Sequence, residues 1–124
     1  ALAAVQDGID PAQERQDEKT APTVSDLCDR FWDEHAMIRL KPRTAEGYKR
    51  IIEKFIRPAL GKILVRDVKR ADIGDLHHSM RQTPYDANRM LEVASKMFNL
   101  AEMWGWRDEY SNPRRHIAKY PESK

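Results

Sequence analysis

The chain has 124 residues, 40% of them hydrophobic and 8% aromatic, enough for one small domain with a modest core and too little for two. Its formal net charge is only +2, yet residues 1–38 carry 3 basic and 9 acidic side chains while residues 39–124 carry 19 and 11, so the two parts stand at −6 and +8. That asymmetry marks an oriented electrostatic surface with nucleic acid as the first candidate partner, whereas the absence of an apolar run of ~18 residues argues against a membrane span.

No charged start followed by an apolar block suggests a signal peptide. The single cysteine, Cys28, excludes an internal disulfide and fits a reduced, cytoplasmic setting. The opening ALAAVQDG lacks an initiator Met and reads as part of something longer. Residues 8–22 are polar, hold two prolines and show no apolar periodicity, so they read as a flexible linker.

The first helix is predicted to start after Thr23, where TVSD fits a capping box with Asp26 in place of the usual Glu. Val24, Leu27, Cys28, Phe31, Trp32 and His35 follow at helical spacing, and Asp26, Asp29, Asp33 and Glu34 make an acidic outer face. The second helix is predicted over 43–56, because Pro58 clashes with a carbonyl four residues back and disfavours a helical Arg57. Tyr48, Ile51, Ile52, Phe55 and Ala59 form its core stripe, with Ile56 at the margin. A third helix is predicted over 70–82, with Ile73, Leu76, His77 and Met80 inward and Asp72 near its N-terminus. The fourth opens at Thr83-Pro84, an N-cap followed by a first-turn proline. It carries the apolar arc Met90, Leu91, Ala94, Met97, Phe98, Ala101 and Trp104 and ends at Gly105. Four helices with short connections predict an all-α bundle, and the stretch from Arg107 onward reads as a tail that leaves it as a loop broken at Asn112-Pro113.

The charges on the second helix are segregated. Glu46, Lys49 and Glu53 lie opposite the core, whereas Arg43, Gly47, Arg50, Lys54 and, were the helix to continue, Arg57 share one flank without an acid. A helix tuned for solubility would intersperse the signs, since acid-base pairs at four-residue spacing stabilise it by ~0.2 to 0.5 kcal/mol each and like pairs cost as much. Glycine within a helix costs ~1 kcal/mol relative to alanine, and Gly47 sits in this flank, where a missing side chain permits close backbone approach. The fourth helix adds Asn88, Arg89, Ser95, Lys96 and Asn99 with one acid, Glu92. Arg and Asn suit bidentate contact with guanine and adenine edges. A solvated basic face is the bland alternative.

Catalytic signatures are missing: no Gly-rich phosphate loop, no paired cysteines and no Gly-x-Ser-x-Gly elbow occur. His77 and His78 are adjacent and point ~100° apart on a helix, so they do not share a metal, and no cofactor, metal or small-molecule substrate is implied. Trp32, Trp104 and Trp106 read as core or helix-end packing rather than base stacking.

The order of elements resembles the core-binding domain of tyrosine recombinases, the phage-integrase family, over residues 23–118. The resemblance is carried by Thr44 and Tyr48 opening the second helix, the turn Pro58, Leu60, Gly61, then Asp72-Ile73, Ala87-Asn88-Arg89, the stretch 98–101, and Asn112-Pro113. Residues 1–15 look like the end of an arm-type DNA-binding domain, and residues 119–124 like the start of a linker to a catalytic domain. The resemblance implies a four-helix, SAM-like orthogonal bundle that forms half of a clamp around double-stranded DNA at the core recombination site. The start of the second helix (Arg43, Thr44, Gly47, Arg50) and that of the fourth (Asp86, Asn88, Arg89, Lys96) would approach the duplex. The family's catalytic tyrosine belongs to the following domain, so no catalytic residue is assigned here, and neither Tyr110 nor Tyr120 is taken for it. Other protomers and the catalytic domain would be partners in the longer protein. Lys69 stands where the family often has a capping Thr, and Asp86 would repel phosphate unless it accepts from a cytosine amino group or only caps the helix. The rival function is a protein-interaction bundle whose basic flank meets an acidic protein or another protomer.

Overall fold

The computed structural model describes residues 21–122, which contain helices, loops and one 3-10 turn, with no strand beyond a single antiparallel bridge between Thr23 and Leu64. Of the linker and arm-domain remnant expected over residues 1–22, all but Ala21 and Pro22 lie outside the described residues. Among the described residues the chain forms four helices: α1 over 24–39, α2 over 42–60, α3 over Arg70–Ser79 and α4 over Pro84–Met103. The fold class is therefore the all-α, four-helix arrangement expected, and α4 lies at its centre, packed against the other three.

The cap of α1 forms as predicted. Thr23 Oγ1 accepts from the Asp26 N–H at 3.2 Å, and the Asp26 carboxylate accepts from the Thr23 N–H at 2.9 Å. The next orphan donors, the N–H groups of Val24 and Ser25, reach the carbonyls of Ile63 and Gly61 at 2.9 and 3.1 Å. This close approach explains Gly61, where a Cβ would stand 2.5 Å from the Arg57 carbonyl oxygen and 2.6 Å from Ser25 Oγ.

Both long N-terminal helices contain a π-turn, Trp32–Ala36 in α1 and Ile52–Ile56 in α2, closed by the Met37 N–H on Trp32 O and the Arg57 N–H on Ile52 O. A π-turn inserts one residue, so the inward stripe slips by one position beyond it. In α1 the predicted Val24, Leu27, Cys28 and Phe31 are buried, but the next core position belongs to Ala36 while His35 is only half-buried. In α2 Ile56 and Leu60 are buried, Phe55 is half-buried and Ala59 is exposed. Extrapolation at about 100° per residue puts Phe55 and Ala59 inward instead, and the inserted residue is what displaces them.

The predicted end of α2 at Ile56 is also corrected. Arg57 is helical, with φ −63° and ψ −44°, and the helix runs through Pro58 to Leu60. The π-turn lies immediately before Pro58 and opens the helix there, relieving the clash of the ring with the carbonyl four residues back.

Lys69 offers no acceptor, so α3 is capped from one side only, by the Asp72 carboxylate on the Lys69 N–H at 2.8 Å. Ile73, His77 and Met80 are buried and Leu76 partly so, as the periodicity predicts. α3 ends at Ser79, short of the predicted 82, because the Met80 and Arg81 N–H groups turn back to His77 O and His78 O, each at 3.1 Å. Thr83 precedes α4 as predicted, yet its hydroxyl donates to Met80 O at 3.2 Å instead of capping. At the far end Gly105 adopts φ 77°, and the Trp106 N–H reaches Ala101 O at 2.8 Å, a Schellman closure. Trp104 and Trp106 pack here beneath the Arg30 guanidinium, 4.1 and 5.1 Å from the ring centres.

Candidate nucleic-acid interface

The flank of α2 predicted to face DNA is exposed at Arg43, Thr44, Gly47, Arg50 and Lys54. Among the described residues outside its own helical backbone, nothing lies within 4 Å of where a Gly47 Cβ would be, so no packing contact there requires glycine at this position. Gly74 in α3 has the same open surroundings, which means space alone does not single Gly47 out. What does is its place among the cations.

The fold brings the middle of α2 against the first turn of α4. Arg50 donates to both carboxylate oxygens of Asp86, at 2.8 Å and a longer 3.4 Å. The hydrogen bond from Arg50 holds the Asp86 carboxyl below its ordinary range against the opposing effect of burial, and the charges of Arg50, Lys54 and Arg89 add to it. Arg50, Lys54 and Arg89 thus surround one acid, whose charge they more than offset. Asp86 is the acid that looks hostile to phosphate in the sequence, and the structure neutralises it internally. Arg89 donates to Tyr85 Oη at 2.6 Å and lies 3.7 Å from Glu92, which leaves it partly exposed at the start of α4.

Other predicted residues fall elsewhere. Lys96 is exposed farther along α4, where its charge acts with that of Arg39 on His35; burial is the main reason His35 is held below the ordinary histidine range. Arg57 turns away from the flank and donates to Glu53 at 2.9 Å and Asp29 at 3.0 Å, tying α2 to the acidic face of α1. Asn88 departs most. It is 1% exposed, and its amide donates to Tyr120 O at 2.7 Å and to the Glu122 carboxylate at 3.0 Å, while its oxygen accepts from the Tyr120 N–H at 2.8 Å. His77 Nε2 lies 3.3 Å from the same oxygen, which assigns it the N–H. No donor or acceptor of Asn88 is left for a base edge in this arrangement.

The reason is the tail. Expected to leave the bundle, it packs back along α4: Asn112 is buried and donates to Ser95 O at 3.0 Å and Asn99 Oδ1 at 2.8 Å, and Lys119 reaches Glu92 at 3.0 Å. Tyr120 stacks on His77 with ring centres 4.1 Å apart and planes 7° from parallel. Much of the amide face that α4 shows in sequence is therefore the seat of residues 112–122. The one cue was Asn112-Pro113, which reads as a break but acts as an anchor, because Asn112 Oδ1 also accepts from the Arg114 N–H at 2.9 Å. Arg107 is a second residue the sequence does not announce; it ties the loop after α4 to the 3-10 turn Val65–Asp67 by donating to Val65 O at 2.6 Å.

Burial pushes the Cys28 thiol up to about 12, so it is an inert core residue. No group of three His, Cys, Asp or Glu side chains among the described residues could hold a metal ion, and none of the described helices is long and apolar enough to cross a membrane.

Comparison with known proteins agrees with the fold. The family model of the phage integrase N-terminal SAM-like domain matches residues 23–81. The solution structure of a phage integrase SAM-like domain from Moorella thermoacetica superposes with a TM-score of 0.66 at 22% identity, covering 82% of this chain and 88% of that one. A domain of a protein assigned as a phage integrase from Nitrosospira multiformis superposes with a TM-score of 0.63 at 30% identity, covering 86% of this chain and 96% of that one. No curated protein matches the sequence significantly. No catalytic domain is evident in the 124 residues. With the capped first helix and the four-helix order in place, the chain belongs to the phage integrase N-terminal SAM-like domain family.

Proposed function

We propose that the chain is the core-site DNA-binding domain of a site-specific tyrosine recombinase that acts in integration and recombination of a mobile element. The observation that carries this reading is the acid-free flank of α2, Arg43, Gly47, Arg50 and Lys54, set against the start of α4 with Arg89. Such a surface suits a phosphate backbone more than base edges, so phosphate contact would supply most of the affinity and base readout little of it. Residues 23–118 would make up the domain, with Lys119 and Tyr120 of the expected linker packed back onto it. Strand exchange would be performed by a catalytic domain outside this chain, and Asn88 would support the domain from inside rather than read a base.

The test is an NMR titration of the labelled chain with a short duplex at two salt concentrations. Shifts at the amides of residues 43–50 and 85–89, reduced by salt, are expected. Shifts absent from both stretches at low salt would overturn the reading and leave the basic flank to a protein partner.

A further inference from the structure

A second cationic surface lies away from the α2 flank. The 3-10 turn before α3, the cap of α3 and the tail enclose an open cleft of about 490 Å³. Arg66, Lys69, Arg70, Arg115 and His116 line it, and Arg107 is fixed in its wall by Val65 O and by the hydroxyl and carbonyl of Ser111. The one acid in the lining is Asp67. Five cations elsewhere in the fold stand within 4 Å of carboxylates: Arg30, Arg50, Arg57, Arg89 and Lys119. Among the described residues, no ion pair involves Arg66, Lys69, Arg70 or Arg115.

Two further observations fall on the same cleft. Tyr110 and His116 are the two non-glycine residues with left-handed φ among the described residues, at 63° and 67°, and both line it. Unfavourable backbone conformations persist where the surroundings impose them, and they concentrate at binding sites. Tyr110 is also 75% exposed, with the Arg115 guanidinium 5.9 Å from its ring centre. An aromatic ring left in solvent among unpaired arginines makes an incomplete surface that an anionic ligand would complete.

From this we infer that the cleft is a second nucleic-acid site, holding the phosphodiester backbone of the duplex at the end of the bundle opposite the start of α4. Phosphate suits it better than an acidic peptide, because four of its five lysine and arginine side chains are arginines, whose planar forks match phosphate oxygens. The ten residues of α3 separate this cleft from the loop that opens α4, a distance of roughly 15 Å at 1.5 Å per residue. This inference rests on the reading of the chain as a DNA-binding domain.

The test compares two variants of the whole chain by fluorescence anisotropy with a labelled duplex over a range of salt. In the cleft variant, Lys69→Gln, Arg70→Gln and Arg115→Gln are combined; in the flank variant, Arg43→Gln and Lys54→Gln. All five positions are exposed, and circular dichroism would check that both variants fold. The cleft variant should bind more weakly, with its log-log salt slope smaller by about 2 to 3, since each lost phosphate contact removes about 0.9. An unchanged slope in the cleft variant with a reduced one in the flank variant would overturn the second site and keep the first. No duplex binding by the unaltered chain would overturn both. Cleft-dependent binding of polyglutamate, with duplex binding unaffected, would assign the cleft to an acidic protein segment and overturn the phosphodiester assignment.

Discussion

Arg50 and Asp86, thirty-six positions apart in sequence, meet at 2.8 Å and join the middle of α2 to the first turn of α4. The pair ties up part of the donor capacity of Arg50 and sets a guanidinium against the Asp86 charge.

Asp86→Asn should release Arg50 and tighten duplex binding several-fold with a steeper salt dependence, whereas Arg50→Ala should weaken it and lower the log-log slope by about 0.9. The Arg50 side chain is 48% exposed, so neither change should move stability by more than about 1 kcal/mol. Anisotropy at two salt concentrations and urea melts would check this; weaker binding by Asp86→Asn would show that the acid itself contacts a base.

Gly47→Ala separates fold from function. The site is open, so the helix should gain up to about 1 kcal/mol. Binding should nonetheless fall if the backbone approaches a groove at this point. Gly61→Ala should do the opposite, costing ~1 to 3 kcal/mol through its clash with Arg57 O and Ser25 Oγ. Thermal melts and duplex titrations of both variants would show whether the two effects part.

The π-turn in α2 predicts an order of losses. Ile56 is 0% exposed, so Ile56→Ala should cost about 2 to 5 kcal/mol. Phe55→Ala should cost less than the usual ~3 to 5 kcal/mol for a buried phenylalanine, since its ring is only partly covered. Chemical denaturation of the two variants would reverse that order if the helix were regular.

Asn88→Ala would leave the Tyr120 backbone groups and His77 without their partner, at a cost of roughly 1 to 3 kcal/mol. Amide exchange at Tyr120 should accelerate while the amides of α2 keep their protection. A direct role in base reading would instead show as altered sequence preference with unchanged exchange.

Burial holds His77 below its ordinary 6.5, the hydrogen bond to Asn88 opposing and Arg114 adding to the effect. A histidine that stays neutral in the fold and protonates in the unfolded chain contributes stability that is fully present above the unfolded value. That contribution is lost as pH falls from about 6.5 toward the lower folded value. His35 has the same sign. Denaturation midpoints should therefore drop between pH 7.5 and 5, and His77→Phe should flatten part of that slope.

Much of the fold was legible because it rests on local rules. The Thr23 capping box, the Pro84 start and the Gly105 stop each need only a few neighbouring residues. The inward stripes were legible as far as each π-turn and misplaced by one residue after it, since no propensity marks where a helix takes in an extra residue. On the candidate site, the α2 flank was readable as an uninterrupted run of one sign. Asn88 was not, because its polarity serves a tail whose contacts come from thirty-two positions away, and an amide that fastens backbone has the same letter as one that reads adenine.

The paired π-turns also bear on how this chain aligns with its relatives. Each amounts to a one-residue insertion absorbed by a helix, so a relative with an unbroken α-helix there has one residue fewer between the same core positions. The physically sound gap then falls inside a helix, between Phe31 and Ala36 or between Ile52 and Ile56, where a gap is ordinarily penalised. An alignment that moves it to the following loop will match Ile56 with a surface residue and exchange core for surface in the last turn of α2. Loss of one residue within Ile52–Ile56 would remove the bulge and restore the Pro58 clash, whereas loss of one at Glu46 would swing Arg43 and its neighbours by about 100° relative to Arg50.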